Sequence, residues 1–149
     1  MITAVLLSGC FGVKTTTQSG QTPPAVFVDY QRTGGIAGLN DRIVIFDNGV
    51  MLISSRAVNN ESLLNQTELE WISNLFEESK FSSLDGNYTS QRGGVDFFQY
   101  TISYRGKTVH TEDTAIPSSL QPIIEEMNRI LTMGIEYRQT GSPFSRLIP

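Results

Sequence analysis

The sequence predicts an α+β domain, in which an antiparallel sheet of about five strands carries two helices on one face. Three observations lead to this fold class. Apolar and polar side chains alternate in several short segments, an Asn-Gly pair separates two β-branched runs, and two longer segments repeat apolar residues at helical spacing. Short strands joined by tight turns favour antiparallel pairing, and each amphipathic helix needs an apolar surface to cover.

The first predicted strand follows a polar segment. Val26, Val28 and Tyr30 occupy every second position of residues 26–31, which is the period of a strand. A glycine-rich loop, residues 33–39, comes directly after it.

The next two strands are predicted to form a hairpin. Residues 42–46 and 50–54 contain several β-branched side chains and flank Asp47-Asn48-Gly49. Asn and Gly tolerate positive φ, so this pair between two such runs is the strongest short hairpin signal.

A first helix is predicted to begin at Thr67 and to end near Lys80. Thr67 and Glu70 have the spacing of a capping box, in which the N-cap and N3 residues satisfy each other's backbone amides. The apolar stripe of this helix comprises Leu69, Ile72, Leu75 and Phe76.

A second hairpin and a second helix complete the domain. Residues 97–104 alternate as a strand, Arg105-Gly106 makes a tight turn, and residues 107–111 return as the partner strand. The loop before them, residues 82–94, contains Asp85-Gly86-Asn87, which is typical of a turn.

The second helix has an apolar stripe at i, i+3, i+4, i+7 spacing. Pro122 is tolerated only in a first turn, so Ser118 or Ser119 is the predicted cap, and Gly134 is the predicted stop. The stripe comprises Leu120, Ile123, Ile124, Met127, Ile130 and Leu131.

The N-terminus carries a segment typical of secretion. Apolar residues 4–7 lead into Leu7-Ser8-Gly9-Cys10, which resembles a lipobox, the signal of lipoprotein precursors. The resemblance implies cleavage before Cys10 and attachment of a lipid to it. No Lys or Arg precedes Cys10 and the apolar stretch is short, so we expect the true start codon to lie upstream. The alternative is an apolar N-terminus with a buried cysteine.

Four segments are therefore expected along the chain. Residues 1–9 are the remnant of a lipoprotein signal peptide, and residues 10–24, rich in Thr, Ser, Gly and Pro, carry the lipid and act as a flexible tether. Residues 25–134 form the folded domain, and residues 135–149 form a loose tail. This organisation predicts an extracytoplasmic protein attached to a membrane through a lipid anchor.

The composition argues against several classes of function. A net charge of -4 with scattered arginines speaks against a nucleic-acid surface. One cysteine and one histidine cannot supply an ordinary zinc site, and no phosphate loop occurs, so no metal and no cofactor are expected. No catalytic motif is present, which predicts a protein that is not an enzyme. His110, close to Glu112 and Asp113, is a candidate general base or, alternatively, an edge-strand histidine without a catalytic task.

The segment Gly34-Gly35-Ile36-Ala37-Gly38 is the most unusual local feature. Glycine lets the backbone adopt positive φ or approach another group closely. One interpretation is a binding loop that presents Ile36 and backbone amides to a partner. The other is a connection between two strands, which composition alone favours.

A longer pattern surrounds this segment and resembles the emfourin family of protealysin inhibitors. The similar parts are Tyr-Gln-Arg-Thr-Gly-Gly-Ile-Ala-Gly at residues 30–38, the Asn-Gly hairpin, and residues 81–88, 96–104 and 117–131. The similarity spans roughly residues 25–132, and its distinctive part is residues 32–38.

The resemblance implies an inhibitor of thermolysin-like metallopeptidases, with such a peptidase as partner. We expect the loop to enter a narrow cleft of the enzyme and a carboxylate such as Asp41 to approach its zinc. The alternative is an interaction or scaffold domain of the cell envelope with no protease target. The expected partner-binding residues are Arg32, Thr33, Gly34, Gly35, Ile36, Ala37, Gly38 and Asp41.

Overall fold

A computed structural model describes residues 22–90 and 96–140 of the chain, with side chains described to residue 134. Across these residues the fold is α+β, with one mixed sheet of seven strands and two α-helices. The elements in chain order are β1 (Val26–Gly34), β2 (Leu39–Phe46), β3 (Val50–Ser54), β4 (Asn59–Leu63), α1 (Gln66–Glu78), a 3₁₀ turn (Phe81–Ser83), β5 (Asn87–Tyr88), β6 (Phe98–Tyr104), β7 (Lys107–Glu112) and α2 (Gln121–Thr140).

The sheet has the strand order β4-β3-β2-β1-β6-β7-β5. All neighbours pair antiparallel except β5 and β7, which run parallel. The α+β class, the two helices and the mainly antiparallel pairing are confirmed. The prediction of about five strands is wrong, because β4 and β5 extend the sheet at its two edges.

Both added strands lack the patterns by which strands are recognised. β4 has the sequence Asn-Asn-Glu-Ser-Leu, which contains one large apolar residue and no clear alternation. β5 has two residues, and its Asn87 belongs to the Asp-Gly-Asn segment that is typical of a turn. The β4 and β5 segments are extended because each pairs with a neighbouring strand, and that pairing is a tertiary interaction.

One face of the sheet carries both helices. Val28 pairs with Tyr104 and Tyr30 with Ile102, so these four buried side chains point the same way. Phe76 of α1 stacks on Tyr104 with ring centroids 4.4 Å apart. The Tyr30 hydroxyl donates to Asn128 Oδ1 of α2 at 2.9 Å. The core therefore lies between this face and the two helices.

Helix α1 begins earlier than the sequence pattern predicted. Its N-cap is Asn65, whose Oδ1 accepts from the Glu68 amide at 3.0 Å, while Glu68 Oε2 accepts from the Asn65 amide at 2.7 Å. The predicted capping box of Thr67 and Glu70 is therefore wrong by two residues. The helix ends at Glu78, close to the predicted Lys80.

Helix α2 differs from its prediction at both ends. Ser118 and Ser119 lie in a turn before the helix, and the Leu120 carbonyl accepts from the Ile124 amide at 3.0 Å. The predicted serine cap is therefore wrong, although Pro122 does lie in the first turn. The helix passes through Gly134 and continues to Thr140, so the predicted stop is wrong and the boundary at residue 134 falls inside a helix.

Several predictions fall on parts of the chain outside the described residues. These are the lipid site at Cys10, the signal remnant at residues 1–9, most of the tether and the tail beyond residue 140. Within the described residues, no helix is both long and apolar enough to cross a membrane.

Candidate functional site

The glycine-rich loop is the hairpin turn between β1 and β2. Gly34 pairs with Leu39, and the Gly38 amide donates to the Gly35 carbonyl at 2.9 Å, which closes the turn over residues 35–38. Gly34, Gly35 and Gly38 all have positive φ. The turn thus connects two paired strands, and it also leaves the Ile36 side chain 91% exposed. The two interpretations made from composition are compatible.

Two of the glycines allow the turn to lie against strand β6. A Cβ at Gly34 would sit 2.4 Å from the Phe97 carbonyl oxygen, and one at Gly35 would sit 2.7 Å from the Phe98 ring. The Gly35 amide donates to that same Phe97 carbonyl at 3.3 Å. Contact with β6 therefore holds the base of the turn, which limits the positions that Ile36 can reach.

Arg32 supports the turn from the helix-covered face. Its Nη2 lies 2.6 Å from Asp41 Oδ2, and its Nε donates to the same oxygen at 3.2 Å. Its Nη1 donates to Asn128 Oδ1 at 2.9 Å, and its guanidinium lies 5.2 Å from the centroid of the Phe98 ring. One side chain thus joins β1, β2, β6 and α2 just below the turn.

A second hydrogen-bonded group extends this support to the start of β6. The Tyr100 hydroxyl donates to Asp113 Oδ1 at 2.7 Å, and Asp113 Oδ2 accepts from the Phe98 amide at 2.9 Å. Burial is the main reason why the pKa of Tyr100, like that of Tyr30, lies well above its usual range. Both phenols therefore stay protonated at neutral pH and can serve as donors.

The predicted partner-binding residues separate into two groups. Residues 33–38 lie at the end of the hairpin, where a partner could reach them. Arg32 and Asp41 lie beneath it, and Asp41 is only 4% exposed with a carboxylate oxygen taken by Arg32. The structure therefore speaks against Asp41 as a zinc ligand, because reaching a partner would require breaking a buried ion pair.

A further residue reaches the same end of the sheet. The β3–β4 turn lies beside the β1–β2 turn, and Arg56 Nη1 donates to the Ala37 carbonyl at 3.4 Å. No local motif marks Arg56 in the sequence, so its place beside the turn was not predicted. Asn128 and the place of Asp113 beneath the turn were not predicted for the same reason, since only strand pairing and helix packing bring these residues there.

His110 lies in β7 between β6 and β5, so it is not at an edge of the sheet. Its Nδ1 lies 3.0 Å from Thr101 Oγ1, while Glu112 Oε1 accepts from the Ser90 amide and the Thr114 hydroxyl. Hydrogen bonds from Ser90 are the main cause that lowers the Glu112 pKa. Across residues 22–90 and 96–140, no cluster of His, Cys, Asp or Glu could hold a metal ion.

A cleft of about 590 Å³ opens at the other end of the sheet, between α1 and the start of β1. Its apolar surface is provided by Ala25, Val26, Phe27 and Leu69. Its polar side chains already have partners within the protein: Asp47 with the Ala25 amide, Gln66 with Glu70, and Arg105 with Glu77 and Ser73. These groups do not converge on a ligand, which favours the β1–β2 turn as the candidate site.

Comparison with known proteins finds no matching family model and no matching curated protein.

Proposed function

We propose that this protein is an extracytoplasmic binding protein that inhibits a thermolysin-like metallopeptidase by placing the β1–β2 turn in the enzyme's cleft. The observation that carries the proposal is Ile36, an apolar side chain 91% exposed at the tip of a supported hairpin. Exposing such a side chain has no benefit for folding, whereas its burial in a partner is worth about 1.5–3 kcal/mol.

The support beneath the turn favours binding. Ordering a flexible loop on association costs free energy, so a loop already held in place binds more tightly. Here Gly34 and Gly35 contact β6, and Arg32 links the two strands of the hairpin to α2. The turn is thus prepared to enter a cleft without rearrangement.

The proposed mode of inhibition is occupancy of the substrate cleft. Asp41 is paired with Arg32 and buried, so no zinc contact is assigned to it. Ile36 instead fills an apolar subsite, and the glycine backbone beside it passes close to the walls of the cleft because it has no side chains. The protein itself performs no chemical step in this proposal.

The proposal is tested by titrating thermolysin with the full chain and measuring residual activity on a small peptide substrate. We expect stoichiometric inhibition by the natural sequence. Ile36→Asp should weaken inhibition at least about tenfold, because a charge would have to enter an apolar subsite. Leu63→Asp is the matched control, since Leu63 is also exposed, at 73%, but lies on β4 away from the turn.

Two results would count against this function. Full thermolysin activity in the presence of micromolar protein would reject it. Equal inhibition by the natural chain and Ile36→Asp would reject the turn as the contact element.

We also propose that a lipid on Cys10 holds the protein at a membrane. The support is the lipobox-like Leu7-Ser8-Gly9-Cys10 and the polar segment that follows it. In the native host, the protein should be found in the membrane fraction with a lipid-bearing Cys10 at its N-terminus, and Cys10→Ser should release it. A mature protein that begins with unmodified Met1 in mass spectrometry would contradict the anchor.

A scaffold role in the cell envelope is the second candidate, and one observation favours it. Leu52 and Leu63 are exposed and lie on the sheet face opposite the helices. Apolar side chains gathered on one open face suit a protein contact. Crosslinking through this face in native membranes, together with no effect on thermolysin, would support this role over inhibition.

A further inference from the structure

Beside Ile36 lies an exposed cation, and we infer that the partner's pocket is apolar with a carboxylate at its mouth, on the side that faces the β3–β4 turn. Arg56 would meet this carboxylate while Ile36 fills the pocket. The inference rests on the proposed function and names the chemistry of the partner at the same site.

The sheet topology places the two turns side by side. Gly34 and Leu39 are the last pair of the β1–β2 hairpin, and Arg42 of β2 pairs with Ser54 at the end of β3. Both hairpins therefore turn at the same end of the sheet. The contact of Arg56 Nη1 with the Ala37 carbonyl joins the two tips directly.

The charge of Arg56 is not compensated within the described part of the chain. Five arginine side chains are described, and the other four each form an ion pair: Arg32 with Asp41, Arg42 with Asp29, Arg105 with Glu77, and Arg129 with Glu126. Arg56 is exposed and forms no ion pair with a described carboxylate. A protein with a net charge of -4 thus keeps a cation available at this position.

The backbone that carries Arg56 is well held. Ser55 Oγ accepts from the amides of Ala57 at 3.2 Å and Val58 at 3.1 Å, and the Ser55 amide donates to the Val58 carbonyl at 2.7 Å. Val58 is buried. The Cα of Arg56 therefore keeps a fixed position relative to the neighbouring turn, as a specific charge contact requires.

Among the described residues, Arg56 places its positive charge on the β3–β4 side of the turn that carries Ile36. On the β6 side, the Gly35 amide contacts the Phe97 carbonyl, and the residue before Phe97 is the exposed Asp96. A partner with a carboxylate on the β6 side would face a like charge. Charge complementarity thus sets the orientation of the turn in the pocket as well as its affinity.

The test measures the association and dissociation rates of the full chain with thermolysin for Arg56→Gln and Arg56→Glu. Lys80→Gln is the matched control, because it also removes one exposed positive charge but lies after α1. We expect Arg56→Gln to weaken binding about fivefold and Arg56→Glu at least about tenfold at low salt. Both reductions in affinity should become smaller in 0.5 M salt, because salt screens the charges. Lys80→Gln should change the affinity less than about twofold.

The results separate this inference from the function on which it rests. No binding of the natural chain to thermolysin would end both. Binding by the natural chain that both Arg56 variants retain at low salt would overturn the inference alone. The same would follow if Lys80→Gln lost as much affinity as Arg56→Gln, because the effect would then be one of net charge.

Discussion

Glycines at the β1–β2 turn share positive φ but differ in their surroundings. A Cβ at Gly34 would meet the Phe97 carbonyl oxygen at 2.4 Å, whereas one at Gly38 would meet nothing within 4 Å. Gly38→Ala should therefore lower the free energy of unfolding by only about 1–2 kcal/mol, the cost of left-handed backbone. Gly34→Ala should lower it by about 3 kcal/mol or more, because backbone must also move.

Urea denaturation of the two variants measures this difference. Equal losses of stability would contradict it, because conformation alone would then determine the effect. A third glycine, Gly35, would place its Cβ against the Phe98 ring, which is a side chain and can move, so we expect an intermediate loss.

At the level of single residues, the sequence pattern predicted part of the candidate site. Residues 32–38 and Asp41 were predicted to bind a partner, and Ile36 is exposed at the tip of the turn. Nothing in the sequence pattern indicates that Arg32 and Asp41 bind each other. That pair depends on the register of β1 and β2, in which Arg32 lies directly opposite Asp41. The pairing register of the two strands cannot be read from residue types alone.

Helix α1 offers a test at the scale of one element. The structure places the N-cap at Asn65, with reciprocal bonds to Glu68, and not at Thr67 as predicted. Asn65→Ala should lower the free energy of unfolding by about 1 kcal/mol through loss of this cap. Thr67→Ala should change it by less than about 0.5 kcal/mol.

Thermal or urea unfolding of these two variants decides between the caps. If Thr67→Ala lowered the free energy of unfolding more than Asn65→Ala, Thr67 would be the N-cap, as the sequence pattern predicted. The sequence contains two overlapping candidates, Asn65 with Glu68 and Thr67 with Glu70. The preceding strand β4 helps to select the first, because the Leu64 amide donates to the Gly49 carbonyl and fixes where the chain enters the helix.

Elements with strong internal patterns were predicted well, and elements that depend on neighbours were not. The two hairpins and the apolar stripes of both helices are present as predicted. Helix α2 continues through Gly134, which is buried there, although glycine in a helix costs about 1 kcal/mol. Packing of the helix on the sheet offsets that local preference, which sequence reasoning could not weigh.

The fold places the N-terminal entry of the domain and the β1–β2 turn at opposite ends of strand β1. The described chain enters at Thr22, and β1 starts at Val26 and ends at Gly34 beside the turn. The nine residues of this strand separate its two ends by about 26 Å. If Cys10 carries a lipid, the domain can therefore hold the membrane connection at one end and present Ile36 and Arg56 at the other.

The sequence by itself determined the fold class, the two hairpins, both helical stripes and the position of the exposed turn. Those features arise from local periodicity and turn chemistry, which act over a few residues. Only the tertiary structure decided the edge strands, the end of α2, the burial of Asp41 and the contact of Arg56 with the β1–β2 turn at Ala37. These depend on contacts between residues that are distant in the chain, and such contacts exist only after the strands have paired and the helices have packed.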